Sequence, residues 1–157
     1  MNSKTSRPAS GLLLSIAALI SPATFAAQPS SGPCSLLTSA QVSAALGVTV
    51  GAGAPIATTG CAWTAPKFMT TLSLVDASRW DQMRTPVPGI TKTPVAALGD
   101  DAFFFVLGEK IVTGGMATLT VKKGGTAYVF KVYTKLRSVP EQMTIEKTLA
   151  VGVLANL

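Results

Sequence analysis

Two cysteines, one pair of adjacent aspartates and the absence of histidine limit the chemistry open to this sequence. The 157 residues include Cys34, Cys61 and seven acidic residues, but no histidine. Without histidine the chain has no Ser-His or Cys-His nucleophile pair and no histidine-based metal site. The only adjacent acids, Asp100 and Asp101, could form a cation site or an acid/base pair. Their place in the run Leu98-Gly99-Asp100-Asp101 favours turn residues that accept backbone hydrogen bonds instead. We therefore expect no metal, no cofactor and no catalytic residue.

The N-terminal residues have the layout of a secretory signal peptide. Lys4 and Arg7 precede an apolar run over residues 11–20, and small residues follow at Thr24 and Ala26. This order of basic, apolar and small residues is typical of a leader that is cleaved, here after Ala26. The apolar run is too short to span a bilayer. We expect residues 1–26 to be a signal peptide and the mature chain to be periplasmic or secreted, without a stable membrane anchor.

The two cysteines are expected to pair. In an oxidising compartment an isolated pair of cysteines usually forms a disulfide. Closing the loop between Cys34 and Cys61 would stabilise the fold by roughly 3–4 kcal/mol in the loop-entropy account. The alternatives are a lipidated Cys34 and a redox pair. Pro33 directly before Cys34 disfavours lipidation, and the spacing is not that of a Cys-x-x-Cys motif.

The mature chain has the size of one domain. Removing residues 1–26 leaves 131 of the 157 residues, and eleven basic against seven acidic residues leave a net charge of +4. Residues 27–33 are expected to be a flexible leader and residues 34–157 a single domain. No run of basic residues of the kind that binds nucleic acid is present.

Two helices have clear start signals. Thr38 with Gln41 and Ser138 with Glu141 fit the capping box, in which residues three apart satisfy each other's backbone N–H groups. Gly47 supplies a left-handed stop, so the first helix is predicted over residues 39–46. The helix after Ser138 carries its apolar stripe on Ile145, Leu149 and Val153. A short helical turn with Trp80 is predicted near Ser78.

The strands follow from alternation of apolar and polar residues. Strands are predicted at 59–64, 69–76 and 102–107, and a hairpin turns at Gly124-Gly125. Residues 51–55 and the Pro-rich segment Thr85–Pro94 are predicted as loops. In the hairpin, the turn dictates a register with one apolar face, whose opposed pairs are Val121–Tyr128, Leu119–Phe130 and Ala117–Val132. Lys122 and Lys131 fall on the other, mostly polar face. Consecutive strands with short connections predict an α+β fold with two layers, an antiparallel sheet of about five strands and helices packed on one face.

Four side chains are candidates for contact with a ligand or partner. Phe104 lies in an all-apolar run, and it would mark a binding patch if its face of the sheet is open. Such a run is more often a central strand that is covered on both sides. Trp80 could supply that cover or a contact of its own. Lys122 and Lys131, with Lys135 and Arg137, could form a basic surface near the last hairpin. A solvated exterior is the favoured interpretation, because Lys122 and Lys131 are spread along the polar face.

The chain resembles a family of small exported bacterial proteins of unknown function, which are common as actinobacterial lipoproteins. The likeness rests on residues 34–38 (CSLLT) leading to Ala45-Leu46-Gly47, on Gly60-Cys61-Ala62-Trp63, and on Leu98-Gly99-Asp100 with Ala102. It implies a sheet-and-helix domain with a Cys34–Cys61 bridge, similar to the extracellular sensor domain of a mycobacterial serine/threonine kinase. No catalytic residues are implied, and this chain lacks the lipidated cysteine of the lipoproteins.

The sequence therefore favours a non-enzymatic binding or accessory module of the bacterial envelope. Its partner would be a small apolar ligand, an envelope component or a protein. The alternatives are a carboxylate-dependent enzyme that uses Asp100 and Asp101, and a periplasmic inhibitor or assembly factor that acts through the Thr85–Pro94 segment.

Overall fold

A computed structural model describes residues 32–157, which form one antiparallel sheet with three α-helices. The predicted signal peptide and most of the predicted leader lie outside the described residues. The strands are β1 Ala54–Ile56, β2 Gly60–Ala65, β3 Phe68–Asp76, β4 Ile90–Pro94, β5 Asp101–Leu107, β6 Met116–Lys123 and β7 Thr126–Tyr133. The helices are α1 Ser39–Leu46, α2 Trp80–Arg84 and α3 Val139–Leu154, and short 3₁₀ turns cover Gly32–Ser35 and Ala77–Arg79.

The α+β fold is confirmed, but the sheet has seven strands instead of about five. The strand order is β1-β2-β3-β7-β6-β5-β4, with β1 and β4 at the edges. These edges are the two strands missing from the prediction. β1 begins inside the segment predicted as a loop over 51–55, and β4 is the second half of the segment Thr85–Pro94. Both are short, mostly exposed and contain a proline, which an edge strand tolerates because one side of its backbone faces solvent.

The helix boundaries follow the predicted caps. Thr38 Oγ1 accepts from Gln41 N at 3.2 Å and Gln41 Oε1 accepts from Thr38 N at 2.8 Å. Gly47 ends α1 with φ 69°, in the left-handed region that glycine enters without strain. The backbone N–H of Ser138 donates to Glu141 at 2.8 Å, so α3 also begins with a capping box.

Helices cover both faces of the sheet. α1 and α3 pack on the face that carries Leu72, Leu119 and Phe130, and together they enclose the main core. α2 lies on the opposite face, where Trp80 packs with Phe103 and Ala127 in a smaller cluster. The prediction of helices on one face is therefore right for α1 and α3 and wrong for α2. The sequence did not indicate a helix on this face, because Thr118 and Thr120 of β6 are polar residues that suggest contact with solvent. The structure buries both.

The predicted disulfide is present. Cys34 and Cys61 are bonded, with their Cα atoms 5.1 Å apart, and both side chains are buried in the main core. The bond ties the first 3₁₀ turn to β2. The predicted leader over residues 27–33 is therefore too long by at least one residue, because Pro33 is itself buried in that turn. A disulfide fits an oxidising compartment. Among residues 32–157, no helix is both long and apolar enough to cross a membrane.

Candidate functional site

The β6–β7 hairpin follows its predicted register except at one end. The pairs Val121–Tyr128 and Leu119–Phe130 are formed, and the ladder runs from Lys123–Thr126 to Thr118–Lys131. The next predicted pair, Ala117–Val132, is not formed. Each of these strands nevertheless continues to pair on its other side, with Val106 opposite Ala117 and Thr70 opposite Val132. The sheet therefore divides between β6 and β7, and we call this division the fork.

Two side chains of α3 occupy the position of the missing pair. In a hairpin with a two-residue turn every second pair is hydrogen-bonded, and Ala117–Val132 would be such a pair. Instead, Ala117 N donates to Gln142 Oε1 at 3.3 Å and Val132 N donates to Glu146 Oε1 at 3.0 Å. Gln142 and Glu146 lie four residues apart, which places them on the same face of the helix. Side chains of α3 thus accept from the two backbone N–H groups that the missing pair would have used.

The inner residue, Glu146, is a fully buried acid. Its exposed fraction is 0%, and Oε2 makes no hydrogen bond within the described part of the chain. Burial raises the pKa of Glu146 to about 8, against the opposing effects of the backbone N–H groups of Val132 and Leu119 and of the Lys131 charge. The carboxyl group is therefore mostly protonated and uncharged at neutral pH, which is the form that a core tolerates.

The fork opens into an apolar cleft, which we call the fork cleft. Its volume is about 620 Å³, within the range of sites that bind small molecules. The buried residues Val132 and Gln142 form its inner wall, whereas Lys67, Lys135 and Leu136 are exposed and lie where it meets solvent. The other lining residues are Val112, Thr113, Gly115, Met116, Tyr133 and Thr134.

Two connecting segments build the outer walls of the fork cleft. The β5–β6 loop is held by a hydrogen bond from Val112 N to Gly108 O at 3.1 Å and by one from Gly115 N to Val112 O at 2.8 Å. It lies close to α3, because a Cβ on Gly115 would stand 2.5 Å from Cγ2 of Val139. On the other side, Thr134 Oγ1 accepts from Leu136 N at 3.1 Å and shapes the segment between β7 and α3.

The four predicted contact residues do not come together, and none of them lines the fork cleft. Phe104 is 0% exposed and lies in the main core, so its face of the sheet is covered. This agrees with the alternative interpretation of the apolar run as a covered central strand. Trp80 is buried on the opposite face, and its Nε1 donates to Asp101 at 3.1 Å. Lys122 lies over the Trp80 ring, with Nζ 6.0 Å from the ring centroid. Lys131 lines a separate pocket of about 250 Å³ on the face of α2.

The two aspartates point to different partners. Asp100 accepts from Gly124 N at 2.7 Å and from Lys123 Nζ at 2.9 Å. The Gly124 N–H, followed by Lys123, holds the pKa of Asp100 below its ordinary value. Asp101 accepts from Arg84 at 2.8 Å as well as from Trp80. Both carboxylates fix the turn end of the hairpin. Across residues 32–157, no group of three or more His, Cys, Asp or Glu residues is arranged to hold a metal ion.

The sequence reasoning missed the residues that open the fork. Gln142 and Glu146 interrupt the apolar stripe of α3, on the same face as Ile145 and Leu149. Two polar side chains four residues apart within a buried stripe signal a specific polar partner, since an unpaired buried polar group is costly. That signal was available in the sequence. Lys135 was considered only as part of a basic surface with Lys122 and Lys131, and nothing marked Lys67, because its place beside the same cleft depends on the topology of the sheet.

No family model, curated protein or solved structure matches this chain at a significant level.

Proposed function

We propose that this chain is an exported, non-enzymatic binding module of the bacterial envelope, and that the fork cleft holds an apolar ligand. The observation that carries the proposal is the division of the sheet by Gln142 and Glu146. A hairpin of this register would ordinarily close its ladder at Ala117–Val132, and closure would remove the inner end of the cleft. Instead, the chain uses two buried polar side chains of α3 to keep the strands apart.

The chemistry of the lining supports an apolar ligand. The walls include Val112, Met116, Val132 and Tyr133. Leu136 is 57% exposed at the mouth. Apolar side chains that stand in water around a concave site typically mark a place where a ligand or partner binds.

The alternative of a carboxylate-dependent enzyme needs Asp100 and Asp101, and both side chains already have other partners. Asp100 and Asp101 are bonded to Gly124, Lys123, Trp80 and Arg84 at the turn end of the hairpin. The segment of the alternative inhibitor is also tied to the sheet. Its second half, β4, pairs with β5, and Lys92 donates to the Met83 carbonyl of α2 at 2.6 Å. These contacts favour the binding module over both alternatives.

Binding of an uncharged fluorescent probe, N-phenyl-1-naphthylamine, tests the cleft. The purified mature chain is expected to enhance the probe's fluorescence saturably. Val112→Asp puts a carboxylate into the apolar wall and should weaken binding by about tenfold, because an apolar ligand would desolvate that charge. Val87→Asp is the matched control: Val87 is 44% exposed in a loop outside the cleft. Equal affinity of the two variants would overturn the assignment of the cleft.

Two further measurements test the rest of the proposal. Mass spectrometry of material from the native host should find a chain that begins at Ala27 and a Cys34–Cys61 linked peptide; an intact leader or two free thiols would contradict export. The double variant Asp100→Asn, Asp101→Asn should bind the probe as the wild type does. If it folds but loses a function of the native protein, the carboxylate enzyme becomes the better account.

A further inference from the structure

We propose that the ligand of the fork cleft is a single-chain amphiphile with an anionic head group, whose head lies between Lys67 and Lys135. This inference rests on the proposed function and specifies the chemical class of its ligand. Both lysines are exposed and line the cleft, one from the β2–β3 turn and the other from the segment after β7. No acidic residue is among the lining residues. The mouth of the cleft therefore carries positive charge alone.

The two lysines are available for a ligand. The ion pairs formed within residues 32–157 are Arg84–Asp101, Lys123–Asp100 and Arg137–Glu141, and neither cleft lysine belongs to them. An ammonium group attracts a carboxylate or a phosphate, and low-dielectric walls concentrate its field at the mouth of a cleft. The head-group chemistry is therefore an oxyanion, which a fatty-acid carboxylate or an alkyl phosphate could supply.

The inner end of the cleft has no charge to offer a polar group. The amide of Gln142 is already engaged, because Oε1 accepts from Ala117 N and Nε2 donates to Arg137 O at 3.0 Å. Glu146 lies behind it, buried and uncharged at neutral pH. A ligand would thus meet an apolar inner wall and a cationic rim, which fixes its orientation with the chain inward and the head outward.

The volume indicates one hydrocarbon chain. About 620 Å³ lies within the range of about 300–1,000 Å³ that accommodates a ligand of ordinary drug size. A two-chain membrane lipid is considerably larger than such a ligand. The structure therefore favours a free single-chain amphiphile over a membrane surface.

Displacement of N-phenyl-1-naphthylamine by four ligands of equal chain length tests the head-group charge. Dodecanoate and dodecyl phosphate should displace the probe at lower concentration than dodecanol, and dodecyltrimethylammonium should be the weakest. All are used below their micelle-forming concentrations. The double variant Lys67→Gln, Lys135→Gln should weaken the binding of dodecanoate by about three- to tenfold, which is the range expected for two exposed ion pairs. The same variant should change the affinity for dodecanol by less than about twofold. Added salt should reduce the difference between wild type and variant.

The control variant Arg79→Gln, Lys122→Gln removes the same net charge from residues on the side of the sheet that carries α2, neither of which lines the cleft. It should leave dodecanoate binding within about twofold of wild type, since exposed charges at a distance are screened. An equal loss in both double variants would mean that net charge alone attracts the ligand, and it would overturn the inference.

The remaining outcomes separate this inference from the proposed function. If dodecanol and dodecanoate bind equally and Val112→Asp weakens the binding of both, the cleft binds apolar chains without distinguishing their head groups. In that case only the inference fails. If inorganic phosphate alone displaces the probe, the chain is unnecessary and the inference fails. If the protein sediments with phosphatidylglycerol vesicles but no free amphiphile displaces the probe, a membrane surface is the partner instead. If Val112→Asp has no effect on the probe, the cleft is not the site and both proposals fail.

Discussion

The β6–β7 hairpin is built differently at its two ends. At the turn end, backbone pairs continue up to Lys123–Thr126, and Asp100 binds Gly124 from outside. At the forked end the last expected pair is replaced by bonds to Gln142 and Glu146. A local signal, the Gly124-Gly125 pair, specifies the turn end. The forked end depends on a helix that begins only after β7. The comparison teaches that one hairpin can combine a locally determined end with an end that is set by tertiary packing.

Removing the Trp80 side chain should have the largest effect, and it should act on the turn end. The ring is 4% exposed, lies 5.3 Å from the Phe103 ring between centroids, and bonds to Asp101. Trp80→Ala should lower the free energy of unfolding by about 3–5 kcal/mol, the usual cost of deleting a buried aromatic ring. Urea denaturation measures this loss. Trp80→Phe should cost less, since a ring remains. The probe affinity of folded Trp80→Ala should stay unchanged, and weaker binding would mean that the two ends are coupled.

The buried acid of the forked end predicts an unusual dependence of stability on pH. Glu146 has a pKa of about 8 in the folded protein and an ordinary value of 4.5. Between these values the folded state binds more protons than the unfolded state, so stability is full below pH 4.5 and falls as the pH rises toward about 8. The slope should reach about 1.4 kcal/mol per pH unit at most.

The absence of histidine makes this prediction easy to measure. No other side chain of ordinary pKa titrates between pH 5 and 8 when histidine is absent and the cysteines are bonded. Glu146→Gln should therefore flatten the unfolding free energy over this range. Glu141→Gln is the matched control on the same helix, since the Ser138 N–H bond lowers the pKa of Glu141 and keeps its titration out of the range. A wild type whose stability is constant from pH 5 to 8 would show that Glu146 is not held in its neutral form.

Substitutions at two glycines of the turn end distinguish the cost of close packing from the cost of backbone strain. Gly99 and Gly124 both have positive φ, at 66° and 57°. A Cβ on Gly99 would lie 2.5 Å from the Lys122 carbonyl oxygen, whereas a Cβ on Gly124 would meet nothing within 4 Å. Gly124→Ala should therefore cost about 1 kcal/mol in unfolding free energy, from backbone strain alone. Gly99→Ala should cost about 2–3 kcal/mol, because the close approach adds to it. Equal losses in the two variants would mean that the strand next to Gly99 moves aside easily.

The features that could be predicted from the sequence are those with local causes. The caps of α1 and α3 depend on residues three apart, and the register of β6–β7 depends on a turn and on alternation. The edge strands β1 and β4 escaped prediction because their prolines and exposed side chains resemble loops. The site was predicted least well. Phe104 looked like a surface contact only if its face was open, and burial of that face is decided by α3. Lys67 and Lys135 are separated by five strands in the chain order, and they line one cleft only because the sheet places β3 beside β7.

The smallest effect is expected from Asp100, and its pH dependence should be opposite to that of Glu146. The hydrogen bond from Gly124 N lowers the pKa of Asp100, with help from Lys123, from an ordinary value of 3.8. Its contribution to stability is therefore present above pH 3.8 and is lost as the pH falls through the lowered folded-state value. Asp100→Asn should reduce the melting temperature slightly at neutral pH, because the side chain is exposed, and the difference from wild type should shrink on acidification. Asp81→Asn, an exposed aspartate in α2, serves as the control. If Asp100→Asn instead removed the stability change between pH 5 and 8, the turn end and not the forked end would govern the response of this protein to pH.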